Sequence, residues 1–266
     1  MNLIAVAKET VEINRNRFYE LDGVRKDLSE DLTDVKVITP EEGERLMLRP
    51  DIPGDTMCRF SVAAADSFET ARKYANSCVL NFANAHKAGG GFMAGAKAQE
   101  EALCRTSTLY ASISSEAAKE MYKYNNTNLS SVESDYMLYS PNVYVFRDEK
   151  CNLLPDNVRV SAITVPAPNR YGAAMFASGK KIEETFIRRI RILLLVMAEN
   201  GVRVPVLGAW GCGAFGNKPD EVSGYFRKVL VDEGYGKMFD EVCFAIYGSE
   251  DGKNISAFRK TFEDLI

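Results

Sequence analysis

The sequence predicts an α/β domain with a parallel or mixed central sheet. The prediction rests on short apolar runs, rich in Val, Ile and Phe, that alternate with segments of helical periodicity. In such a fold the carboxyl ends of parallel strands share one edge of the sheet, and ligands bind there. The strand-like runs are residues 35–39, 58–62, 78–84, 143–146, 158–165, 202–207 and 242–247.

Helical patterns occupy most of the segments between these runs. The clearest covers residues 180–199, where Ile182, Phe186, Ile190 and other apolar residues recur at helical spacing and form one wide stripe. The run 122–135 is rich in Asn and Ser and predicts a loop, and a polar, charged segment covers 20–34. Further helices are expected at residues 2–18, 68–75, 96–114, 219–232 and 256–263.

Composition and charge narrow the class of protein. The chain has 266 residues, of which 46% are hydrophobic and 26% charged, a balance typical of one large globular domain or of one domain with an extension. The formal net charge of −4 argues against general nucleic-acid binding, so local backbone donors would have to hold a polyanionic ligand. No apolar run approaches the length of a membrane span, and Lys8 and Glu9 argue against a signal peptide.

The cysteines and the single histidine favour a reduced protein without a metal site. Six cysteines are scattered along the chain without a C-x-x-C pair, and His86 is the only histidine. This usage argues against a zinc site and against a disulfide framework. We therefore expect free thiols in a cytoplasmic protein.

The first motif that can carry chemistry joins a glycine loop to an acidic pair. The triglycine 89–91 follows the strand-like run that ends at Asn84, and Gln99-Glu100-Glu101 stands seven residues further on. Glycines let the backbone approach a ligand closely, and such a loop before a helix presents N–H groups to phosphate or ribose oxygens. Adjacent carboxyls on a helix point about 100° apart, so one can face a scissile bond while the other holds a neighbouring hydroxyl. Acidic residues are also common in first turns because they complement the helix dipole. The pair therefore indicates a functional site only in combination with the glycine loop.

The second motif is the glycine-rich run from Leu207 to Asn217. It also follows a strand and precedes a helix, and its four glycines suit a backbone cradle for a pyrophosphate. It lacks the G-K-[ST] ending of a P-loop and misses the G-x-G-x-x-G spacing of a dinucleotide site. Two such loops at one sheet edge predict a nucleotide-like ligand.

Single residues in these motifs have competing interpretations. Trp210 is expected to pack in the core, whereas Phe215, among small residues, is expected to face a ligand. Cys212 has no basic partner beside it in the sequence, which favours packing over a nucleophilic role. His86 is expected to be a loop histidine rather than a general base.

These residues resemble the signature of the poly(ADP-ribose) glycohydrolases: a triglycine, six to eight residues, then Gln-Glu-Glu. The second loop is similar to the diphosphate-binding loop of that family, and other segments resemble its microbial-type subfamily. One departure is Lys87-Ala88, where a proline is expected before the glycines. The similar segments are residues 7–11, 103–110, 139–147, 166–169 and 242–247.

The resemblance implies a macrodomain, with a mixed central sheet flanked by helices in three layers. It also implies an N-terminal helical extension at residues 1–55 and a catalytic domain at residues 56–266. Glu101 would be the catalytic acid/base, Glu100 would accept hydrogen bonds from the substrate ribose, and Gln99 would support the loop. The remaining substrate-binding residues would be Asn84, Gly89, Gly90, Gly91, Gly211, Cys212, Gly213, Ala214, Phe215, Gly216 and, for the adenine amine, Asp66.

The activity that the resemblance implies is hydrolysis of ribose–ribose bonds in poly(ADP-ribose), with release of ADP-ribose. It would need no metal and no cofactor, and the protein would be a monomer that binds the polymer or ADP-ribosylated macromolecules, without general nucleic-acid or membrane binding. Three alternatives stay open. A mono-ADP-ribosyl hydrolase would release single units from protein or nucleic acid, a non-catalytic ADP-ribose module would not need the acidic pair, and a nucleotide-dependent oxidoreductase would bind NAD.

Overall fold

The computed structural model describes residues 1–48 and 54–266, and in this part of the chain nine strands form a seven-stranded sheet and a separate hairpin. The hairpin consists of β1 (Phe18–Leu21) and β2 (Val24–Asp27). The strands of the large sheet are β3 (Lys36–Ile38), β4 (Arg59–Ala63), β5 (Ser77–Ala83), β6 (Met137–Arg147), β7 (Leu153–Pro166), β8 (Val204–Leu207) and β9 (Glu241–Ala245).

Helices cover both faces of the large sheet. The helices that share a core with Leu80 of β5 lie on one face, and the helices that share a core with Val79 lie on the other. Neighbouring residues of a strand point to opposite faces of the sheet. The helices are α1 (Leu3–Asn16), α2 (Pro40–Met47), α3 (Ser67–Ala71), α4 (Gln99–Thr106), α5 (Leu109–Ile113), α6 (Lys119–Thr127), α7 (Gly179–Glu199), α8 (Pro219–Arg227) and α9 (Lys253–Thr261).

The strand order confirms the predicted mixed sheet. The order is β3-β6-β7-β5-β8-β9-β4, in which β7, β5, β8, β9 and β4 run parallel and β6 runs antiparallel to both of its neighbours. The five parallel strands therefore end at the same edge. This three-layer arrangement of helices, mixed sheet and helices is the fold class that the resemblance implied.

The long helix α7 confirms the helix predicted at residues 180–199. Ser178 caps it by accepting a hydrogen bond from the Lys181 backbone N–H, and the stripe that includes Ile182, Phe186 and Ile190 is buried in the core. A helix of this length gains most of its stability from such a buried face rather than from helix propensity.

The N-terminal segment is helical only in part. The helix expected at 2–18 is α1, capped by Asn2. The β1–β2 hairpin begins at Phe18, the last residue of the expected helix, and extends into the polar segment 20–34. Its turn forms because Asp22 and Gly23 both adopt positive φ (52° and 77°), as a two-residue hairpin turn requires. Strand β3 lies within the predicted extension 1–55, yet it pairs with β6 of the large sheet. The division at residues 55 and 56 stays a prediction, and residues 49–53 of the predicted extension lie outside the described residues.

Two helix predictions need correction. The single helix expected at 96–114 is interrupted between α4 and α5, because Thr108 exchanges hydrogen bonds with the backbone of Tyr144 in β6 (3.0 and 2.9 Å). The loop expected at 122–135 is wrong for its first residues, which belong to α6. Asn125 is tolerated in α6 because its side chain donates to the Ala85 carbonyl (3.1 Å) and accepts from the Ser134 N–H (3.0 Å).

A fully buried arginine fastens α7 to the carboxyl end of β7. The Arg189 guanidinium donates to the carbonyls of Pro166 (2.8 Å) and Val132 (2.6 Å) and pairs with an Asp135 oxygen at 2.8 Å. Burial raises the pKa of Asp135, but Arg189 and Arg188 outweigh it, so the pKa lies below its ordinary value of 3.8. The segment that follows β7 is thereby held at the sheet edge.

We predict that Asp135→Asn lowers the free energy of unfolding by about 3 kcal/mol at pH 7, because it leaves a buried guanidinium without its counter-ion. The lowered pKa means that the carboxylate contributes stability at neutral pH and loses it as the pH falls through that pKa, so wild type and variant should converge once the pH is below the folded-state pKa. Urea unfolding at several pH values measures both. Asp27→Asn, which removes the exposed Arg25–Asp27 pair, is the control and should cost under about 1 kcal/mol. Equal losses in the two variants would contradict the prediction.

Candidate active site

Both glycine motifs and Asp66 lie at the carboxyl edge of the sheet. The first motif follows β5, the second follows β8, and Asp66 follows β4. Because Ala83 at the end of β5 is in register with Pro166 at the end of β7, the segment after β7 reaches the same edge. The sequence-based expectation that the two loops share an edge is confirmed.

A cleft of about 680 Å³ opens at this edge. Of the residues predicted from the sequence, it is lined by Asp66, Gln99, Gly211, Gly213, Ala214 and Phe215. The other predicted residues, Asn84, Gly89, Gly90, Gly91, Glu100, Glu101, Cys212 and Gly216, adjoin the cleft along the two loops and the start of α4 without lining it. The sequence did not indicate Met1 and Leu3, which line the cleft because α1 packs against the loop before α4.

Glu101 is held by the glycine loop through one of its two carboxyl oxygens. Its Oε1 accepts a hydrogen bond from the Gly91 backbone N–H at 2.9 Å. The residue is 8% exposed. Its Oε2 is buried and has no hydrogen-bond partner among residues 1–48 and 54–266. An anchored carboxyl with one free oxygen can exchange a proton with a bound group.

Two positions of the triglycine must be glycine for the loop to lie on the acidic pair. Gly89 and Gly90 have φ angles of +66° and +53°. A Cβ atom at Gly90 would lie 2.6 Å from the Oε1 of Glu101 and 3.3 Å from the Oε2 of Glu100. The absence of a side chain therefore lets the backbone reach both carboxyls at once.

Lys87 and Ala88 stand where the family resemblance predicts a proline, and hydrogen bonds close the turn at this position. The Lys87 N–H donates to Asn84 Oδ1 at 3.0 Å, and the Gly90 N–H donates to the Lys87 carbonyl at 3.0 Å. The His86 N–H also donates to Asn84 Oδ1, at 2.9 Å. Asn84 thus organises the start of the loop with its own side chain.

Glu100 is more deeply buried than Glu101 and has partners for both oxygens. It is 3% exposed, its Oε2 accepts from the Asn84 N–H at 2.9 Å, and its Oε1 accepts from Asn81 Nδ2 at 3.3 Å. Burial raises its pKa from 4.5 to about 8, against the lowering effect of the Asn84 and Asn81 hydrogen bonds, and the neighbouring Glu101 adds to the rise. The carboxyl is therefore mostly neutral at pH 7.

Gln99 extends the hydrogen bonding of β5 beyond the end of its pairing with β8. That pairing ends at Val79. The Gln99 side chain then accepts from the Phe82 N–H (2.9 Å) and donates to the Leu80 carbonyl (2.8 Å). The first turn of α4, which carries the acidic pair, is thereby fixed to the central strand.

Asn81 is a site residue that sequence reasoning missed. Its Nδ2 contacts both Glu100 and the Thr164 hydroxyl (3.1 Å), and its Oδ1 is buried without a partner in the described part of the chain. The signal was present, since Asn81 is a polar residue inside the apolar run 78–84, and a fully buried amide in a strand needs a specific partner.

The single histidine ties the glycine loop to α6. His86 Nδ1 lies 3.1 Å from Asn126 Oδ1, Asn126 Nδ2 donates to the His86 carbonyl at 3.0 Å, and His86 Nε2 lies 3.3 Å from a Glu133 oxygen. Glu133 holds this position at a φ of +63°. These contacts agree with the expected loop position of His86 and add a tether that the sequence did not indicate.

Two buried residues, Trp210 and Asn217, hold the second loop in place. Trp210 is fully buried and donates to the Val165 carbonyl at 3.1 Å, which confirms its predicted core position. Asn217 closes the loop by donating to the carbonyls of Pro168 (2.8 Å) and Gly211 (3.1 Å). Phe215 is half-buried and lines the cleft.

Cys212 and Asp66 are both shaped by burial. Burial raises the pKa of Cys212 to about 12, so it is a neutral thiol at pH 7, in agreement with a packing role. Asp66 caps α3 by accepting from the Phe68 (2.8 Å) and Glu69 (3.1 Å) N–H groups, and burial raises its pKa. Its suggested contact with an adenine amine stays a prediction.

Within the described residues, no cluster of three or more His, Cys, Asp or Glu side chains has the arrangement of a metal site. No helix in the described ranges is both long and apolar enough to cross a bilayer.

The fold and the site together define a macrodomain-type α/β protein with an acidic pair beneath a triglycine loop. The family model described as "Microbial-type PARG, catalytic domain" matches residues 7–148, where PARG stands for poly(ADP-ribose) glycohydrolase. A comparison with curated proteins gave no match.

Solved structures match along nearly the whole chain. The poly(ADP-ribose) glycohydrolase of Thermomonospora curvata is 33% identical, with 98% of this chain and 99% of that chain covered and a TM-score of 0.91. The same protein bound to the inhibitor ADP-HPD matches with a TM-score of 0.89. The poly(ADP-ribose) glycohydrolase of Deinococcus radiodurans in complex with ADP-ribose is 37% identical, with 93% of this chain and 100% of that chain covered and a TM-score of 0.81. The chain belongs to the microbial-type poly(ADP-ribose) glycohydrolase family.

We predict that Glu100→Gln stabilises the protein, and that the gain grows with pH. Because the folded-state pKa of about 8 exceeds the ordinary 4.5, the folded protein binds a proton that the unfolded chain releases, so wild-type stability falls as the pH rises between these values. A glutamine has no carboxyl proton to lose, so its contribution to stability does not change over this pH range. Chemical unfolding should show a difference on the order of 4 kcal/mol at pH 8 and under about 1 kcal/mol at pH 5.

The matched control for that experiment is Glu116→Gln, which replaces an exposed carboxyl paired with Lys119. It should change stability by under about 0.5 kcal/mol at every pH. A Glu100→Gln variant that is less stable than wild type at pH 8 would contradict the prediction.

Proposed function

We propose that this protein hydrolyses the ribose–ribose O-glycosidic bonds of poly(ADP-ribose) and releases ADP-ribose. Family membership supports the reaction, as do the solved relatives, one of which was crystallised with ADP-ribose and another with the inhibitor ADP-HPD. The observation that carries the proposal is the free, buried Oε2 of Glu101 beside a loop that suits a sugar.

ADP-ribose would span the carboxyl edge of the sheet. Asp66 would meet the adenine amine, the loop from Gly211 to Gly216 would hold the diphosphate through backbone N–H groups, and Phe215 would pack on the ribose. Asn84 and the triglycine 89–91 would enclose the terminal ribose. A chain with a net charge of −4 can hold a diphosphate in this way, because the donors are local and do not depend on the overall field.

Glu101 would serve as acid and then as base. In the first step the proton on Oε2 goes to the departing 2′-oxygen, the bond between that oxygen and the anomeric carbon breaks, and an oxocarbenium-like ribose forms next to the negative diphosphate. In the second step the ionised carboxylate takes a proton from water, and the resulting hydroxyl adds to the anomeric carbon. Glu101 is protonated again at the end of the cycle, so one carboxyl is sufficient.

Glu100 would position the substrate. Its oxygens contact the Asn84 N–H and the Asn81 side chain, and the unused lone pairs can accept from a ribose hydroxyl. Its neutral state also avoids two adjacent negative charges in a buried space once Glu101 has given up its proton in the first step.

The setting of the reaction completes the proposal. The protein would act as a monomer, without a metal or other cofactor, on the polymer or on ADP-ribosylated macromolecules. The six cysteines are free thiols, which is typical of a reducing compartment and supports a cytoplasmic location.

Glu101→Gln is expected to lower kcat on poly(ADP-ribose) by about a thousandfold, because the amide can accept from the Gly91 N–H but cannot give a proton to the leaving oxygen. Affinity for ADP-ribose should stay within a few-fold of wild type by calorimetry. Chromatography of the released nucleotides measures the rate. Wild-type turnover in this variant would sink the assignment of Glu101.

Gly90→Ala should reduce kcat/KM roughly 100-fold, because the new methyl group would overlap Glu101 Oε1 and displace it, in a backbone conformation that alanine disfavours. Gly224→Ala in α8 is the matched control, since a Cβ there meets no atom within 4 Å. The control should retain full activity and gain up to about 1 kcal/mol of stability. Equal activity in the two variants would contradict the role given to the loop.

A further inference from the structure

A polymer substrate must leave the cleft at its ribose end. In the proposed reaction, the anomeric carbon of the bound ribose is joined through the scissile bond to the 2′-oxygen of the next adenosine. The purine of that leaving adenosine therefore lies one nucleoside away from Glu101, outside the space taken by the bound ADP-ribose. The inference below rests on the proposed function and concerns the surface that this purine meets.

The segment after β7 flanks this end of the site. Strand β5, which precedes the triglycine loop, has β8 with the diphosphate loop on one side and β7 on the other. The backbone of the β7 segment bonds directly to the diphosphate loop, since the Arg170 N–H donates to the Phe215 carbonyl at 2.9 Å. Ala167 lines the cleft, and residues 168–178 continue from it outside the cleft lining, beside the diphosphate loop and next to the strand that carries the triglycine loop.

This segment exposes two aromatic rings. Tyr171 is 77% exposed and Phe176 is 90% exposed, and Met175 between them is exposed as well. Isolated exposed apolar residues are common on proteins, but several large ones in one short segment beside a site mark a binding surface.

The backbone that carries these rings is fixed. Asn169 Oδ1 accepts from the Tyr171 N–H at 3.1 Å, and the Asn169 carbonyl accepts from the N–H groups of Gly172 (3.0 Å) and Ala174 (2.9 Å). The Tyr171 ring lies so close to the diphosphate loop that a Cβ at Gly216 would be 2.5 Å from it. The rings are thus presented to solvent from a rigid turn, at little cost in conformational entropy on binding.

We propose that Tyr171 and Phe176 form a stacking site for the purine of the leaving adenosine. Aromatic rings bind bases through their faces without needing hydrogen bonds to the base edges, which suits an exposed subsite. The continuity of this segment with the diphosphate loop sets the occupant, because the next unit of the polymer must pass over it. The surface favours a polymer over a substrate whose leaving group carries no base.

The test compares the double variant Tyr171→Ser, Phe176→Ser with wild type on short poly(ADP-ribose) oligomers and on free ADP-ribose. Loss of stacking should raise the KM for the oligomers roughly tenfold, with kcat little changed. The Kd for ADP-ribose, measured by calorimetry, and the melting temperature should stay close to wild type, because neither Tyr171 nor Phe176 lines the cleft.

Two further variants separate stacking from a general surface effect. The double variant Tyr171→Phe, Phe176→Tyr keeps both rings and should retain the wild-type KM. Met57→Ser removes a side chain that is 93% exposed at the opposite edge of the sheet, before β4, and should have no effect.

The outcomes distinguish this inference from the proposed function. If wild type releases no ADP-ribose from the oligomers, the proposed function fails. If wild type is active and the serine variant keeps its KM, or loses ADP-ribose affinity to the same extent, the stacking site is refuted while the proposed function stands.

Discussion

The burial of two adjacent carboxyl groups beneath a glycine loop is the constraint on which the site depends. Removing carboxyls from water is costly unless each receives hydrogen bonds or a proton. The protein meets this demand in two ways. Glu101 receives the Gly91 N–H and leaves one oxygen free, whereas Glu100 receives the Asn84 N–H and an amide of Asn81 and keeps its proton at neutral pH. The two neighbours therefore have different environments, which allows them different roles.

The scaffold around the pair fixes its position from three directions. Gln99 attaches the first turn of α4 to β5 through hydrogen bonds that resemble strand pairing. The contacts of His86 with Asn126 and Glu133 attach the other end of the glycine loop to α6 and the segment after it. On the N-terminal side, Thr10 of α1 donates to the Arg105 carbonyl at the end of α4 (2.8 Å). A carboxyl held within such a frame needs little reorganisation when a ligand arrives.

The same edge of the sheet divides into regions of different chemistry. Backbone donors of the second loop suit phosphate oxygens, the glycine loop suits a sugar, and the exposed rings of Tyr171 and Phe176 suit a base. Phosphate, sugar and base are also the groups that repeat along a nucleotide polymer. A single turn after β7, organised by Asn169, carries the exposed rings and bonds to the second loop through the Arg170 N–H and the Phe215 carbonyl.

The sequence by itself determined the alternation of strands and helices, the two glycine loops and the acidic pair, because these depend on residues close together in the chain. Periodicity gave α7, and the spacing of the triglycine and Gln99-Glu100-Glu101 gave the site and the family resemblance. Only the tertiary structure decided how the carboxyls are buried, since Asn81 lies 19 residues from Glu100 and Glu133 lies 47 residues from His86. It also decided the break between α4 and α5 and the helical state of α6, where contacts with β6 and with the glycine loop outweigh local propensity. Local pattern thus fixes which groups are available, and long-range contacts, which no short window contains, fix their burial and their charge.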